Sequence, residues 1–224
     1  MTEMFKTLWQ NGDFWVAAWE TTYMTLLSAL ISYALGLPLG ILISVTDENG
    51  IHPIKWLNKT LGVIVNIFRS IPFIVLMVAM LPVAKFVVGT SLGNSAVVVM
   101  LVIAATPYIA RMVESSIKEV DSGIIEAAQA MGTSNFQIIY KVLIPEAKPS
   151  LIVGAVISAV TILGYSAMAG TLGGGGLGAL AILKGHQRFN DDVIWMCVII
   201  IVIIVQIIQE VGMIIARKTD KRIK

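Results

Sequence analysis

The segment Thr21–Thr46, TTYMTLLSALISYALGLPLGILISVT, carries no charged side chain over its whole length. A helix needs about 20 apolar residues to cross the hydrocarbon of a bilayer, so this run is long enough to span it. Trp9, Trp15 and Trp19 precede it, the residue type favoured at a membrane interface. Four further runs read the same way. Thr60–Ala84 is interrupted only by Arg69, and Phe86–Ala110 is uncharged, with Gly89, Gly93 and Asn94 marking a loop before a helix that starts near Asn94. Pro149–Leu183 exceeds one crossing, its surplus lying in the glycine-rich stretch 170–178, and Val193–Ala216 is dominated by Ile and Val. The whole chain agrees, with 57% hydrophobic residues, 13% charged and a mean hydropathy of +0.85. An average soluble domain is about 25% charged.

The predicted architecture is therefore an all-α integral membrane protein with five transmembrane helices, over about 21–45, 60–84, 94–113, 149–170 and 193–216. Residues 1–20 form an extracytoplasmic or interfacial N-terminus and lack the basic-then-apolar pattern of a signal peptide. Residues 114–148 form a polar connection, and 217–224 a basic tail. Lys and Arg fix the orientation. Eleven lie in the first and third connections and the C-terminal segment, against four on the other side, with Arg69 set aside as intramembrane. The positive-inside rule then places the N-terminus outside and the C-terminus and residues 114–148 in the cytoplasm. The single cysteine, Cys197, has no partner for a disulfide, and the two histidines fall in loops, away from any carboxylate or nucleophile set.

In the cytoplasmic connection, Ile117, Val120, Ile124, Ala127, Ala128 and Met131 recur at helical spacing. Gly132-Thr133-Ser134-Asn135 then breaks the pattern with capping residues, and Phe136–Leu143 reads as a second short helix ended before Pro145. Within this element Glu126-Ala127-Ala128, Gly132 and Val142-Leu143-Ile144-Pro145 match the spacing of a known motif. They resemble the EAA motif of the permeases of ATP-binding-cassette (ABC) importers, with Val142 and Ile144 as aliphatic replacements at its Ile and Leu positions. Further stretches, Asn66–Phe73, Ile109–Glu114 and Gly164–Met168, are similar to those of methionine-importer permeases, over roughly Ala18–Ile208.

The resemblance implies the type I ABC importer fold, with residues 18–208 as the transmembrane domain, in a multi-pass protein of the bacterial inner membrane. It implies a non-enzymatic permease subunit for methionine, in the L form and possibly the D form, paired with a second copy of itself. Its expected partners are two ATPase subunits, an extracytoplasmic substrate-binding protein and membrane lipid, but no nucleic acid. It also implies that no cofactor is held by this chain, ATP and Mg being bound by the partner ATPase. Glu126, Ala127, Ala128, Gly132, Thr133 and Asn135 are the expected ATPase-coupling residues. A permease for another small amino acid, or a secondary transporter acting alone, remain alternatives. Ion coupling finds little support, because acidic residues occur in the spans only near their ends, as at Glu210.

For the translocation path the candidates are Arg69, Ser70, Tyr165, Ser166 and Met168. A charge inside a span costs several kcal/mol and normally faces a partner or an aqueous cavity, so Arg69 either lines the path or snorkels to the interface. Tyr165, Ser166 and Met168 either line the path or pack in the core. Gly173–Gly176 is not a phosphate loop, since no Gly-Lys-Ser/Thr follows. Gly36 and Gly40, with Pro38 between them, permit close helix contact, either within the chain or between copies.

Overall fold

A computed structural model describes residues 3–220. It consists of helices joined by short connections, with no strand among the described residues. A short amphipathic helix, α1 (Glu3–Gln10), lies against the start of α2 (Asp13–Thr46) through Phe5, Leu8 and Phe14. The first span thus begins at Asp13, eight residues before the expected start at Thr21. Gly12, at a φ of +77°, makes the turn between the two helices. Trp9, Trp15 and Trp19 all remain exposed, as interfacial aromatics do.

The predicted second span 60–84 is not one straight helix. α3 (Lys55–Ser70) ends at Ile71-Pro72, and α4 (Phe73–Ala79) leaves at 104° to it, followed by α5 (Leu81–Val88). Pro72 is the cause: it lacks an N–H to continue the ladder and biases Ile71 to extended backbone, at ψ 126°. Four described helices are long and apolar enough to cross a membrane, and the bent pair α3–α4 makes a fifth when taken as one span.

The third span, α6 (Asn94–Lys118), starts where the sequence places it and is the packing centre of the fold. The buried face of α2 carries Thr25, Ser28, Ser32, Gly36 and Gly40 at helical spacing. Small residues let helix backbones approach closely. A Cβ on Gly36 would run into Ile109, and one on Gly40 into the backbone of Ala110, so this glycine pair forms a seam with α6 within one chain.

After Lys118 the periodic stretch 117–131 is interrupted. Asp121 caps a new helix, α7 (Ser122–Ala130), its carboxylate accepting from the Gly123 N–H at 2.7 Å. The break at Gly132 is as expected, and Ser134 and Gln137 form a reciprocal capping box that starts α8 (Asn135–Ile138). The helix does not stop before Pro145. It runs on through a π turn, Ile139–Leu143, into α9 (Ile144–Ala169). A proline ring clashes with the carbonyl four residues back, and the widened turn relieves that clash, so Pro145 sits in the first turn of α9 without ending the helix. The glycine-rich stretch is irregular, as expected: a 3-10 turn at Gly170–Leu172, positive φ at Gly173 and Gly176, and the short α10 (Gly176–Leu180). A π turn and a 3-10 turn lead to the last span, α11 (Asp191–Thr219), which packs on α9. Of the basic tail, Arg217 and Lys218 are in α11; Lys221, Arg222 and Lys224 lie outside the described residues.

Candidate coupling surface and pathway site

Two features mark the connection between α6 and α9. The first is conformational. Gly132 has a φ of +73°, a left-handed backbone that L side chains rarely adopt, and no atom lies within 4 Å of where its Cβ would be. The residue is required for the turn, and the space around it is open. The second is the surface beside it. Met131 (78% exposed), Phe136 (76%), Tyr140 (66%) and Ile124 form a set of large apolar side chains outside the core. They flank the turn on α7, α8 and the π turn, and clustered apolar exposure of this kind marks an interaction site. Glu126 and Ala127 are exposed on α7, while Ala128 is buried against the core; Thr133 is half-buried and Asn135 exposed. The sequence pattern singles out the small residues here, but the exposed anchors Met131, Phe136 and Tyr140 are visible only once the fold shows which apolar positions remain uncovered.

Glu126 also lines a polar cleft of about 520 Å³ between α7 and the loop after α2, with Asp47, Asn49, Lys118 and Gln129. At its edge a network of charges joins three helices. The Arg111 guanidinium donates to Glu114 at 2.6 Å, to the Gly62 carbonyl at 3.2 Å and to Asn66 Oδ1 at 3.0 Å. Lys118 Nζ in turn reaches Glu114 at 2.9 Å and Asp47 at 2.5 Å. Glu114 is buried (8% exposed), so it shares two cations instead of being solvated. The Lys118 ammonium holds the Asp47 carboxyl below its ordinary range. Arg111 thus ties α3 to α6, and Lys118 ties α6 to the end of α2. Charge counting assigns Arg111 and Lys118 only to a cytoplasmic connection; their i, i+3 and i+7 spacing with Glu114 is the signal that places all three on one helix face.

At the level of the α3–α4 break, Arg69 and Tyr165 come together in a small cavity of about 180 Å³, with Phe68, Phe73 and Tyr108. Phe73 and Tyr165 stack at 4.3 Å between ring centroids and 8° between planes. Arg69 is exposed. The other candidates lie apart from this cavity. Ser70 donates to the Asn66 carbonyl of its own helix at 2.8 Å. Ser166 is buried and donates to the Leu163 carbonyl at 2.7 Å, while Met168 is half exposed beyond it.

The opposite end of the bundle holds a second polar cluster that the sequence does not announce. Glu20 accepts from Asn94 Nδ2 at 2.9 Å and from the Gly176 N–H at 2.8 Å. Asn94 Oδ1 accepts from the Gly175 N–H at 2.7 Å, and Thr21 Oγ1 accepts from the Leu177 N–H at 2.8 Å. Side chains of α2 and α6 thereby cap α10 from outside and fasten the glycine-rich loop. A Cβ on Gly175 would collide with the Glu20 carboxylate, so glycine is what lets the loop come this close.

Residues 36–224 match the family described as binding-protein-dependent transport system inner membrane component. The chain is 46% identical over 213 residues to a probable D-methionine transport system permease protein MetI of Vibrio cholerae, covering 95% of each. It is 45% identical to the methionine import system permease protein MetP of Bacillus subtilis, over 98% of this chain and 100% of that one. Among solved structures, it superposes with a TM-score of 0.92 on a chain of the MetNI methionine ABC transporter in an inward-facing conformation, at 42% identity and covering 99% and 100% of the two chains. An amino acid ABC transporter solved with histidines shares the fold alone, at a TM-score of 0.79 and 18% identity.

Proposed function

The chain belongs to the family of binding-protein-dependent transport system inner membrane components, and from that premise we propose that it is the membrane-spanning subunit of an ATP-driven methionine importer. Two copies form the path. A separate cytoplasmic ATPase supplies the energy, this chain having no phosphate loop of its own, and an extracytoplasmic binding protein delivers the substrate. The N-terminus lies outside and the C-terminus in the cytoplasm, supported by the distribution of Lys and Arg.

The observation that carries this reading is the turn at Gly132 with Met131, Phe136 and Tyr140 exposed around it. Three large apolar side chains left in water at the polar end of a membrane protein need a partner surface. The turn they flank is set rigidly, by a left-handed glycine on one side and a capping box on the other. Displacement of this element passes directly into α9, which continues from α8 through the π turn, and so reaches Tyr165 at the cavity of Arg69. The cavity suits an amino acid with an apolar side chain: a guanidinium for the carboxylate, and aromatic faces beside which a thioether packs favourably.

A tagged chain purified from membranes should bring down an ATPase subunit. Reconstituted with it and with the binding protein, the chain should take up methionine only when ATP is present. Uptake by the chain alone, driven by an ion gradient, would contradict the reading.

A further inference from the structure

On the flank formed by α2, α9 and α11 an apolar groove of about 460 Å³ opens sideways, and it shares no lining residue with the cavity of Arg69. Its floor is the contact of Gly212 with Val156, where a Cβ on the glycine would strike the valine side chain. Ile152, Ala155 and Val211 form the walls, and Tyr33 is turned away from polar duty by donating to the Leu151 carbonyl at 2.6 Å. Lys148 is the one charged residue lining the groove, exposed at its end. From Lys148 to Ala159 the groove follows α9 for about 16 Å at 1.5 Å per residue, close to half of a hydrocarbon core about 30 Å thick. Arg217 and Lys218 follow Ile215 of the groove within one turn of α11 but do not line it, so Lys148 is the cation that the slot itself presents.

We propose that this groove binds one anionic phospholipid, with an acyl chain along the Ile152–Val156 face of α9 and the phosphate at Lys148. Charge complementarity selects this occupant: the lining is apolar apart from one exposed cation at its end, which matches an acyl chain carrying an anionic headgroup. The depth of the groove matches one leaflet. That leaflet is the cytoplasmic one in the orientation proposed above, but the site itself does not depend on that orientation or on the transported substrate.

The test is native mass spectrometry of the purified permease assembly released from nanodiscs of phosphatidylethanolamine with a minority of phosphatidylglycerol. Wild type and Lys148→Arg should retain phosphatidylglycerol, and Lys148→Ala about fivefold less, equivalent to the roughly 1 kcal/mol that one basic residue contributes near an anionic headgroup. Ala155→Phe, which fills the slot and leaves the charge, should lose retained lipid of both headgroup types while assembling like wild type. Equal retention by wild type and Lys148→Ala, or a Val211→Cys variant that cross-links between two copies through this flank, would overturn the proposal.

Discussion

The two ends of the bundle are fastened by opposite means. At the α2 N-terminal end, one carboxylate, one amide and one hydroxyl hold backbone N–H groups of a loop in which every position from 173 to 176 is glycine. At the other end the charged ties run between side chains, Arg111–Glu114–Lys118–Asp47, and backbone enters as carbonyl acceptors, Gly62 for Arg111 and Ile43 for Asn58 at 2.7 Å. Backbone contacts that depend on missing side chains are all-or-none, because any added atom displaces the loop. Charged side chains are long and can exchange partners as helices shift. The first end therefore reads as a fixed closure in the state seen here, and the second as a joint that lets α3 and the end of α2 move with α6.

Gly176→Val should have the largest effect. It places a β-branched side chain at a φ of +92° and directs a Cβ onto Thr21 Oγ1. Strain and overpacking together should cost about 3 kcal/mol or more, read as a lower melting temperature of the purified protein. If Gly176→Val melted like wild type, the fixed end would be no more fixed than the other. Arg111→Gln should come next. It removes charge-assisted bonds to Glu114 and to α3, at about 2 kcal/mol, and leaves the Glu114 carboxylate with Lys118 alone. Uptake should fall further than assembly with the ATPase, since the surface at Gly132 is untouched. Glu20→Gln keeps the shape of the closure at the α2 N-terminal end but exchanges one charged acceptor for an amide, and should cost about 1 kcal/mol by the same melting assay.

The smallest effect belongs to Asp47 and Lys118, an exposed pair worth less than about 1 kcal/mol. Because the Asp47 carboxyl titrates lower in the folded chain than its ordinary value of 3.8, its contribution is fully present above that value. It is lost as pH falls through the lowered folded value. Asp47→Asn should therefore melt slightly below wild type at neutral pH, and the difference should vanish in strong acid.

Span count, the helix start at Asn94 and the turn at Gly132 are legible from the sequence because they follow from run length, loop-forming residues before the helix and a glycine. The bend at Pro72 is half legible: proline announces a break, but its angle of 104° depends on what α3 and α4 pack against. Pro145 misleads, since a π turn absorbs it and the helix continues. Glu20 looks like an interfacial charge until the fold brings the glycine loop, more than 150 residues later, onto it. Of the path candidates, Arg69 and Tyr165 share a cavity, whereas Ser166, a neighbour of Tyr165 in sequence, points inside the bundle; adjacency on a helix does not confer a common face.

The central claim is that the turn at Gly132 carries force from an ATPase to the path. Its direct test is Gly132→Leu, measured for ATPase copurification and ATP-dependent methionine uptake at matched membrane levels. No atom of the chain stands within 4 Å of the added Cβ, so the bundle should insert and pair normally, while the left-handed turn and the approach of a partner are both obstructed. The account predicts an assembled permease pair with ATPase association weakened and uptake reduced at least about tenfold, the equivalent of about 1.4 kcal/mol. Wild-type uptake by Gly132→Leu would contradict it.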